Sequence, residues 1–572
     1  MNQSQDIDWQ AFADIPQELL ARLLRPDHGG IDAQAVLCTL AQDYARDPAR
    51  WQAAQQNWHT EQQALWSAMA HTNEGAANEP VTSDRRFRAA EWRLPYFNWL
   101  ARSYLAASTC LMTLVEGAQL DAHEKKRALF LIRQWVHAAS PANVGWSNPE
   151  ALRLAAETQG GSVANGIANL RADMPKGMVS MTDDSAFEVG RNLATTPGAV
   201  VFENELLQLI QYRPATNRVH ARPLLMVPPC INKFYVLDLQ EENSLVRYAV
   251  ASGHTVFMLS WRNPDASMGR ITWDDYVRGV IEAIEIAGKI RGVKSINTLG
   301  FCVGGTLLAT AIAVLRARRK RMVASVTLLA TMLDFCDTGE LSVFIDEAGV
   351  QKREREFAQA ANGGLVPARE LALTFASLRP DELIWQYVVN NYLKGRTPAA
   401  FDLLHWNSDG ANLPGAMYVW YVRNAYLENN LKQPGKVNVC NVPLDLTRID
   451  VAAYVLATRE DHIVPWKTAY AGAHLLTGRK TFVLGASGHI AGVINPAVRK
   501  RRNFWTADSL PVDAGAWLAD AQSHPGSWWG HWSAWLARQA GKKQIASTEL
   551  GGAGYTEIEP APGRYVKQKA DL

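Results

Sequence analysis

The sequence predicts an α/β chain in two parts: mostly helical to about residue 200, then a mostly parallel sheet with helices on its faces. Three features carry this expectation. Apolar residues recur at helical spacing over residues 17–24, 34–47, 51–70, 99–117 and 124–139, where strand patterns are scarce. From about residue 200, short apolar runs alternate with helical ones. One such run, residues 296–299, breaks at Gly300 and resumes with helical spacing at Leu307, so that strand, sharp turn and helix follow directly on one another.

In the first region Trp51, Trp58, Leu65 and Met69 fall roughly on one face of a helix, a stripe that suits either a core or a partner-binding face. Residues 71–80, rich in Ala, Asn, Glu and Gly, read as a loop, and Ser140-Pro141, Asn148-Pro149 and Gly160-Gly161 mark turns. In the second region the strand candidates are residues 223–227, 254–260, 295–299, 323–330, 452–458 and 481–484, with helices at 245–251, 273–290 and 306–318. Arg318-Arg319-Lys320-Arg321 closes the last of these helices, where cations suit the dipole. Between about 331 and 450 the strand rhythm stops, and the chain turns aromatic, with Trp385, Tyr387, Trp406, Tyr418, Trp420 and Tyr421. This segment reads as an insertion, a cap over an apolar substrate or product. A tryptophan cluster, Trp528, Trp529, Trp532 and Trp535, follows the last strand.

A chain of 572 residues has room for two to four domains, and 48% hydrophobic with 20% charged residues allows a large core. A net charge of +2 gives no reason to expect nucleic-acid binding. Cys38, Cys110, Cys230, Cys302, Cys336 and Cys440 form no C-x-x-C pair and read as reduced thiols of a cytoplasmic protein. The start of the chain lacks a signal-peptide pattern, and no run of 18 apolar residues suggests a membrane span. The 20 tryptophans fit a Trp-rich core or an apolar exposed surface. No Walker loop, dinucleotide fingerprint or H-E-x-x-H helix is present, so neither a nucleotide cofactor nor a catalytic metal is expected.

Gly300-Phe301-Cys302-Val303-Gly304 has the G-x-S-x-G form of the nucleophile elbow of α/β-hydrolases, with cysteine in the serine's place. Cys302 would sit at a helix N-terminus, where unpaired amides favour a thiolate and the Val303 amide is placed to donate to an oxyanion. In that fold the acid follows a late strand and the histidine the last one. Both places are filled: residues 455–458 lead into Glu460-Asp461-His462, and residues 482–484 into Gly488-His489. Asp461 is preferred to Glu460 because it lies next to the following helix, and His462 remains a rival base. Pro228-Pro229-Cys230-Ile231 follows an early strand, where the Ile231 amide is a candidate second oxyanion donor, or the segment is a plain turn. Arg499-Lys500-Arg501-Arg502 reads as a solvated basic loop or as a meeting point for coenzyme A phosphates.

Longer strings extend the pattern: residues 187–198, Pro228-Pro229-Cys230-Ile231-Asn232-Lys233-Phe234-Tyr235, Ser260-Trp261-Arg262-Asn263-Pro264, Glu460-Asp461-His462-Ile463-Val464-Pro465-Trp466 and Gly488-His489-Ile490-Ala491-Gly492. Through these and the elbow the chain resembles the polyhydroxyalkanoate synthases, most closely class I, over nearly its whole length. The resemblance implies a helical N-terminal domain over 1–200, supporting granule association and dimerisation, and an α/β-hydrolase catalytic domain over 201–572 with the cap insertion. It implies Cys302 as acyl-accepting nucleophile, His489 as its base and Asp461 as the third catalytic residue. The substrates it implies are (R)-3-hydroxyacyl-coenzyme A thioesters, preferably short ones such as 3-hydroxybutyryl-CoA, with coenzyme A as a product rather than a cofactor. The implied partners are the growing polyester and its granule surface, a second copy of the chain and granule-associated proteins. A polyester depolymerase or acyl-CoA thioesterase of the same fold, and a noncatalytic granule-coat protein, are the alternatives.

Overall fold

The computed structural model describes residues 31–70 and 83–570. The helix expected at 17–24 and the loop expected at 71–80 lie outside these residues. The chain divides into two compact units, one of residues 1–183 and 372–400, the other of residues 184–371 and 401–572.

The first unit is helical. Its helices are α1 (Ala33–Arg46), α2 (Pro48–Ala70), α3 (Pro95–Gly117), α4 (Ala122–Ala138), α5 (Pro149–Glu157) and α6 (Gly161–Asp173). Side chains that stop helical propensity from running on set their starts: Asp32, Asp121 and Asn148 each accept a hydrogen bond from a first-turn amide. On α2 the expected stripe, of which Met69 lies outside the described side chains, is only partly covered. Trp51 is exposed and Trp58 and Leu65 are half-buried, while Trp66 packs on Trp99 of α3 with ring centroids 4.8 Å apart.

Two domain limits differ from the sequence expectation. The boundary falls at Asp184 rather than about 200, because residues 184–197 are tied into the second unit: the Ala194 amide donates to the Asp238 carbonyl and the Thr196 hydroxyl to its carboxylate at 2.6 Å. The insertion expected over 331–450 is not one piece. Residues 372–400 belong to the helical unit, where Tyr392 donates to Asp173 at 2.9 Å, the Gln134 amide to the Ser377 carbonyl, and Trp385 packs beside Ala138. Long-range pairing of this kind leaves no mark in local periodicity.

The second unit is built on an eleven-stranded sheet. Its strands are β1 (Gly198–Glu203), β2 (Leu207–Tyr212), β3 (Leu224–Val227), β4 (Val256–Trp261), β5 (Ile296–Phe301), β6 (Val323–Leu329), β7 (Ala452–Thr458), β8 (Lys480–Gly485), β9 (Asn503–Thr506), β10 (Gln522–Pro525) and β11 (Glu559–Pro560). They lie in the order β10-β9-β8-β7-β6-β5-β3-β4-β2-β1-β11. The stretch from β8 to β4 is parallel, and the strands outside it are antiparallel. All six predicted strands belong to the parallel part, whose continuous apolar runs are the easiest to read because both faces are covered.

The helices that matter for the site are α7 (Leu245–Ala251), α8 (Trp273–Arg291), α9 (Val303–Ala317), α10 (Gly415–Tyr421), α11 (Trp466–Ala473), α12 (His489–Val493) and α13 (Trp529–Gln539). A capping box between Thr272 and Asp275 opens α8. Every residue of α9 from Val303 to Leu315 is buried. It lies so close to β3 that a Cβ on Gly304 would stand 2.4 Å from the Pro228 carbonyl oxygen and 2.5 Å from that of Val227.

The chain runs from β3 to β4 on one side and then crosses to β5 on the other. The loops after β3 and β5 therefore part, leaving a crevice at their carboxyl ends, where open α/β sheets place their ligands. Gly304→Ala should destabilise the protein by about 1–3 kcal/mol, since the obstacle is backbone that cannot swing away. Urea denaturation followed by tryptophan fluorescence measures this, and an unchanged midpoint would contradict the close packing of α9 on β3.

Candidate active site

Cys302 stands between β5 and α9 with φ 53° and ψ −129°, a conformation that L-residues avoid and that turns its side chain out of the strand line. The surrounding backbone holds it there. Its amide donates to the Leu329 carbonyl at 2.9 Å, and its own carbonyl accepts from the Gly305 amide at 2.9 Å and the Thr331 hydroxyl at 3.3 Å. Val303, the first residue of α9, has no acceptor for its amide within the helix. Its N–H is thus available at the positive end of the helix dipole, beside the sulfur.

Asp461 follows β7 and is fixed by every lone pair it has. One carboxylate oxygen accepts from the Ile463 and Val464 amides, both at 2.9 Å; the other accepts from the Thr458 hydroxyl at 3.1 Å and from His489 Nδ1 at 2.7 Å. Its side chain is fully buried. Burial favours the protonated acid, but the His489 charge and these donors outweigh it and hold the carboxyl below the usual carboxylate range.

His489 opens α12, after β8, and its ring lies over Phe301 with centroids 5.5 Å apart. With Nδ1 on Asp461, the other ring nitrogen, Nε2, is the one that meets the Cys302 side chain. Burial opposes the imidazolium, yet the Asp461 carboxylate and the negative charge available to Cys302 raise the histidine pKa to about 10. Behind it, the Trp528 indole donates to the Gly492 carbonyl at 3.1 Å and that of Trp529 to Val493 at 3.0 Å, so two members of the tryptophan cluster clamp the end of α12. The sequence gives no sign of this task for them beyond their number.

The structure therefore brings Cys302, His489 and Asp461 together, with His489 hydrogen-bonded to Asp461 and Cys302 within electrostatic reach of the imidazole. His462 is not the imidazole on Asp461, and Glu460 is exposed. Ile231 lies in the loop after β3, at the crevice; its carbonyl accepts from the Ala411 amide at 2.9 Å. Of the basic run, Arg499 pairs with Glu242 at 3.4 Å and Arg502 donates to the Ala491 carbonyl, while Lys500 and Arg501 are exposed. Tyr421, at the end of α10, and Tyr426, in the π-helical turn Val422–Leu427 that follows, lie within electrostatic reach of Cys302. They pack with Phe335 edge to face, and Tyr421 stacks on Trp273 at 5.0 Å, an aromatic lining beside the sulfur. Among the described residues no cluster of His, Cys, Asp and Glu is placed to hold a metal ion, and no helix is long and apolar enough to cross a membrane.

Residues 83–249 match the family described as the N-terminus of poly-beta-hydroxybutyrate polymerase (PhaC), and residues 223–496 match the alpha/beta hydrolase fold. The chain is 56% identical to the poly(3-hydroxyalkanoate) polymerase subunit PhaC of Cupriavidus necator, over 91% of this chain and 89% of that one. It belongs to the PhaC family of poly(3-hydroxyalkanoate) polymerases. Another member, from Methylorubrum extorquens, is 41% identical over 93% of this chain and 89% of its own length. This family places an α/β-hydrolase domain in service of acyl transfer. Among solved structures the chain is similar to a monoacylglycerol lipase from Paleococcus ferrophilus, with TM-score 0.31 and 14% identity over 49% of this chain and 90% of that one. It is likewise similar to DcsB bound to a substrate analogue, with TM-score 0.33 and 11% identity over 52% of this chain and 92% of that one.

Because the folded-state pKa of His489 lies above its ordinary 6.5, the pair's stabilisation is full below about pH 6.5 and fades as pH rises through 10. Asp461, depressed below 3.8, contributes above that value and loses its contribution as pH falls through the lowered one. Near neutral pH, His489→Gln should cost about 3–5 kcal/mol by stranding a buried carboxylate. Denaturation of both proteins between pH 7 and 10 should show the gap closing; a gap independent of pH would contradict the ion pair.

Proposed function

We propose that this chain joins (R)-3-hydroxyacyl groups, taken from short-chain coenzyme A thioesters such as 3-hydroxybutyryl-CoA, into a polyester with release of coenzyme A. The observation that carries the reading is the strained elbow cysteine whose side chain meets an imidazole already held by a buried carboxylate. In the first step Cys302 Sγ, its proton already passed to His489 Nε2, attacks the thioester carbonyl. The Val303 and Ile231 amides face the oxyanion, and the departing coenzyme A sulfur takes the proton back from the imidazolium as its C–S bond breaks. In the second step the 3-hydroxyl of another unit gives its proton to His489 and attacks the Cys302 thioester. The ester C–O bond forms, the C–S bond breaks, and the Cys302 thiolate is left paired with the His489 imidazolium. Asp461 holds the ring in the tautomer both steps need.

Water in the same place would turn synthesis into hydrolysis, so exclusion matters as much as activation. His489 is 5% exposed and the Asp461 carboxylate not at all, and the aromatic lining from Trp273, Tyr421 and Tyr426 favours an acyl chain over water. This supports a polymerase over a thioesterase or depolymerase. No cofactor enters the scheme. The helical unit carries no part of the catalytic line, and we assign it to the granule surface, to pairing with a second copy and to granule-associated proteins, with the chain acting at cytoplasmic polyester granules.

Incubation with 3-hydroxybutyryl-CoA, following free coenzyme A and product size together, tests the reading. High-molecular-weight polyester should accompany coenzyme A release; free 3-hydroxybutyrate in its place would favour the thioesterase. Cys302→Ala should lose coenzyme A release entirely while keeping the wild-type circular dichroism spectrum, and His489→Gln should be about 10²- to 10⁴-fold slower. Retained release in Cys302→Ala would remove this cysteine as the nucleophile.

A further inference from the structure

We infer that Asp409 is a positioning residue for acyl transfer: it fixes the loop after β3 so that the Ile231 amide faces the oxyanion. The inference rests on the acyl-transfer reading of the site above. The loop after β3 carries Ile231, Asn232, Lys233 and, in a short helical turn, Tyr235. The segment that grips it comes from the far side of the sequence. Asp409 Oδ1 accepts from Lys233 Nζ at 2.7 Å and Asp409 Oδ2 from the Tyr235 hydroxyl at 2.9 Å. Next to it, Asn232 pairs with Gly410 in an antiparallel bridge, and the Ala411 amide donates to the Ile231 carbonyl. On the other side, the Trp406 indole donates to the Lys233 carbonyl at 2.7 Å.

Burial decides which of these contacts governs. Lys233 and Asp409 are 5% and 3% exposed at the side chain, so separating them would leave a charge in a dry place. Lys569 also reaches Asp409, at 3.2 Å, but its side chain is 69% exposed and water competes for it. The Ile231 carbonyl and the peptide bonds after it are thus fixed by the segment around Asp409, which limits where the Ile231 amide, two bonds from that carbonyl carbon, can lie. An oxyanion donor works only within a few tenths of an ångström of its place. A residue that touches neither substrate nor Cys302 can therefore govern the first bond made.

The test compares two reactions of the same sulfur in the full-length protein. Alkylation of Cys302 by iodoacetamide displaces iodide from a saturated carbon and forms no oxyanion; acylation by 3-hydroxybutyryl-CoA forms one. Asp409→Asn should be acylated about 10- to 100-fold more slowly, with alkylation unchanged. Tyr235→Phe, which removes one hydrogen bond to Asp409 and keeps the ring, should slow acylation in the same sense and decides the matter if Asp409→Asn does not fold. Unchanged acylation, or acylation and alkylation falling in equal proportion, overturns the positioning role. A wild-type protein that is alkylated but never acylated would overturn the acyl-transfer reading instead.

Discussion

The backbone of one residue constrains the rest of the catalytic unit. Cys302 can hold φ 53° and ψ −129° only because β5 arrives fully buried, α9 leaves at once, the end of β6 takes its amide into a hydrogen bond, and Gly305 and Thr331 donate to its carbonyl. Such strain costs about 1–3 kcal/mol, which the surrounding structure must offset. Offsetting it requires α9 to press onto β3, and Gly304 is the point of that approach. The crevice between β3 and β5 then opens where the sulfur emerges. Strain, close packing and the place for substrate are consequences of one strand order.

On the other side of the crevice, electrostatics overcomes burial. An imidazolium as enclosed as His489 is unfavourable alone, and a carboxylate as enclosed as Asp461 more so. Together, with two amides and a threonine hydroxyl on the carboxylate, each stabilises the charge of the other. In the proposed reaction the same enclosure keeps water from an acyl group held on sulfur. The tryptophans behind α12 contribute by removing freedom from the helix that carries the histidine.

Much of this was legible in the sequence. The elbow, the acid after β7 and the histidine after β8 are read from local order alone, because each is a polar residue placed at the end of an apolar run. The parallel strands were legible for the same reason. The antiparallel strands β1, β2, β9 and β10 were not: in β1, β9 and β10 half-exposed and exposed residues blur the apolar run, and in the fully buried β2 two glutamines, Gln208 and Gln211, break it. Nor was the grip of Asp409 on Lys233, which joins residues 176 positions apart and reads in sequence as an ordinary acid in a polar turn. The split of the insertion escaped for a similar reason: residues 372–400 look like the aromatic chain around them, and only their hydrogen bonds to α4 and α6 assign them to the helical unit.

The most direct measurement of the central claim is peptide mass spectrometry after acid quench of the wild-type protein mixed with one equivalent of 3-hydroxybutyryl-CoA. Cys302 and Cys230 lie close together at this site, but burial pushes the Cys230 thiol up to about 12 and leaves it without an imidazole. The account predicts a 3-hydroxybutyryl group on the Cys302 peptide alone. The group on Cys230, or coenzyme A released with both cysteines unmodified, would contradict it.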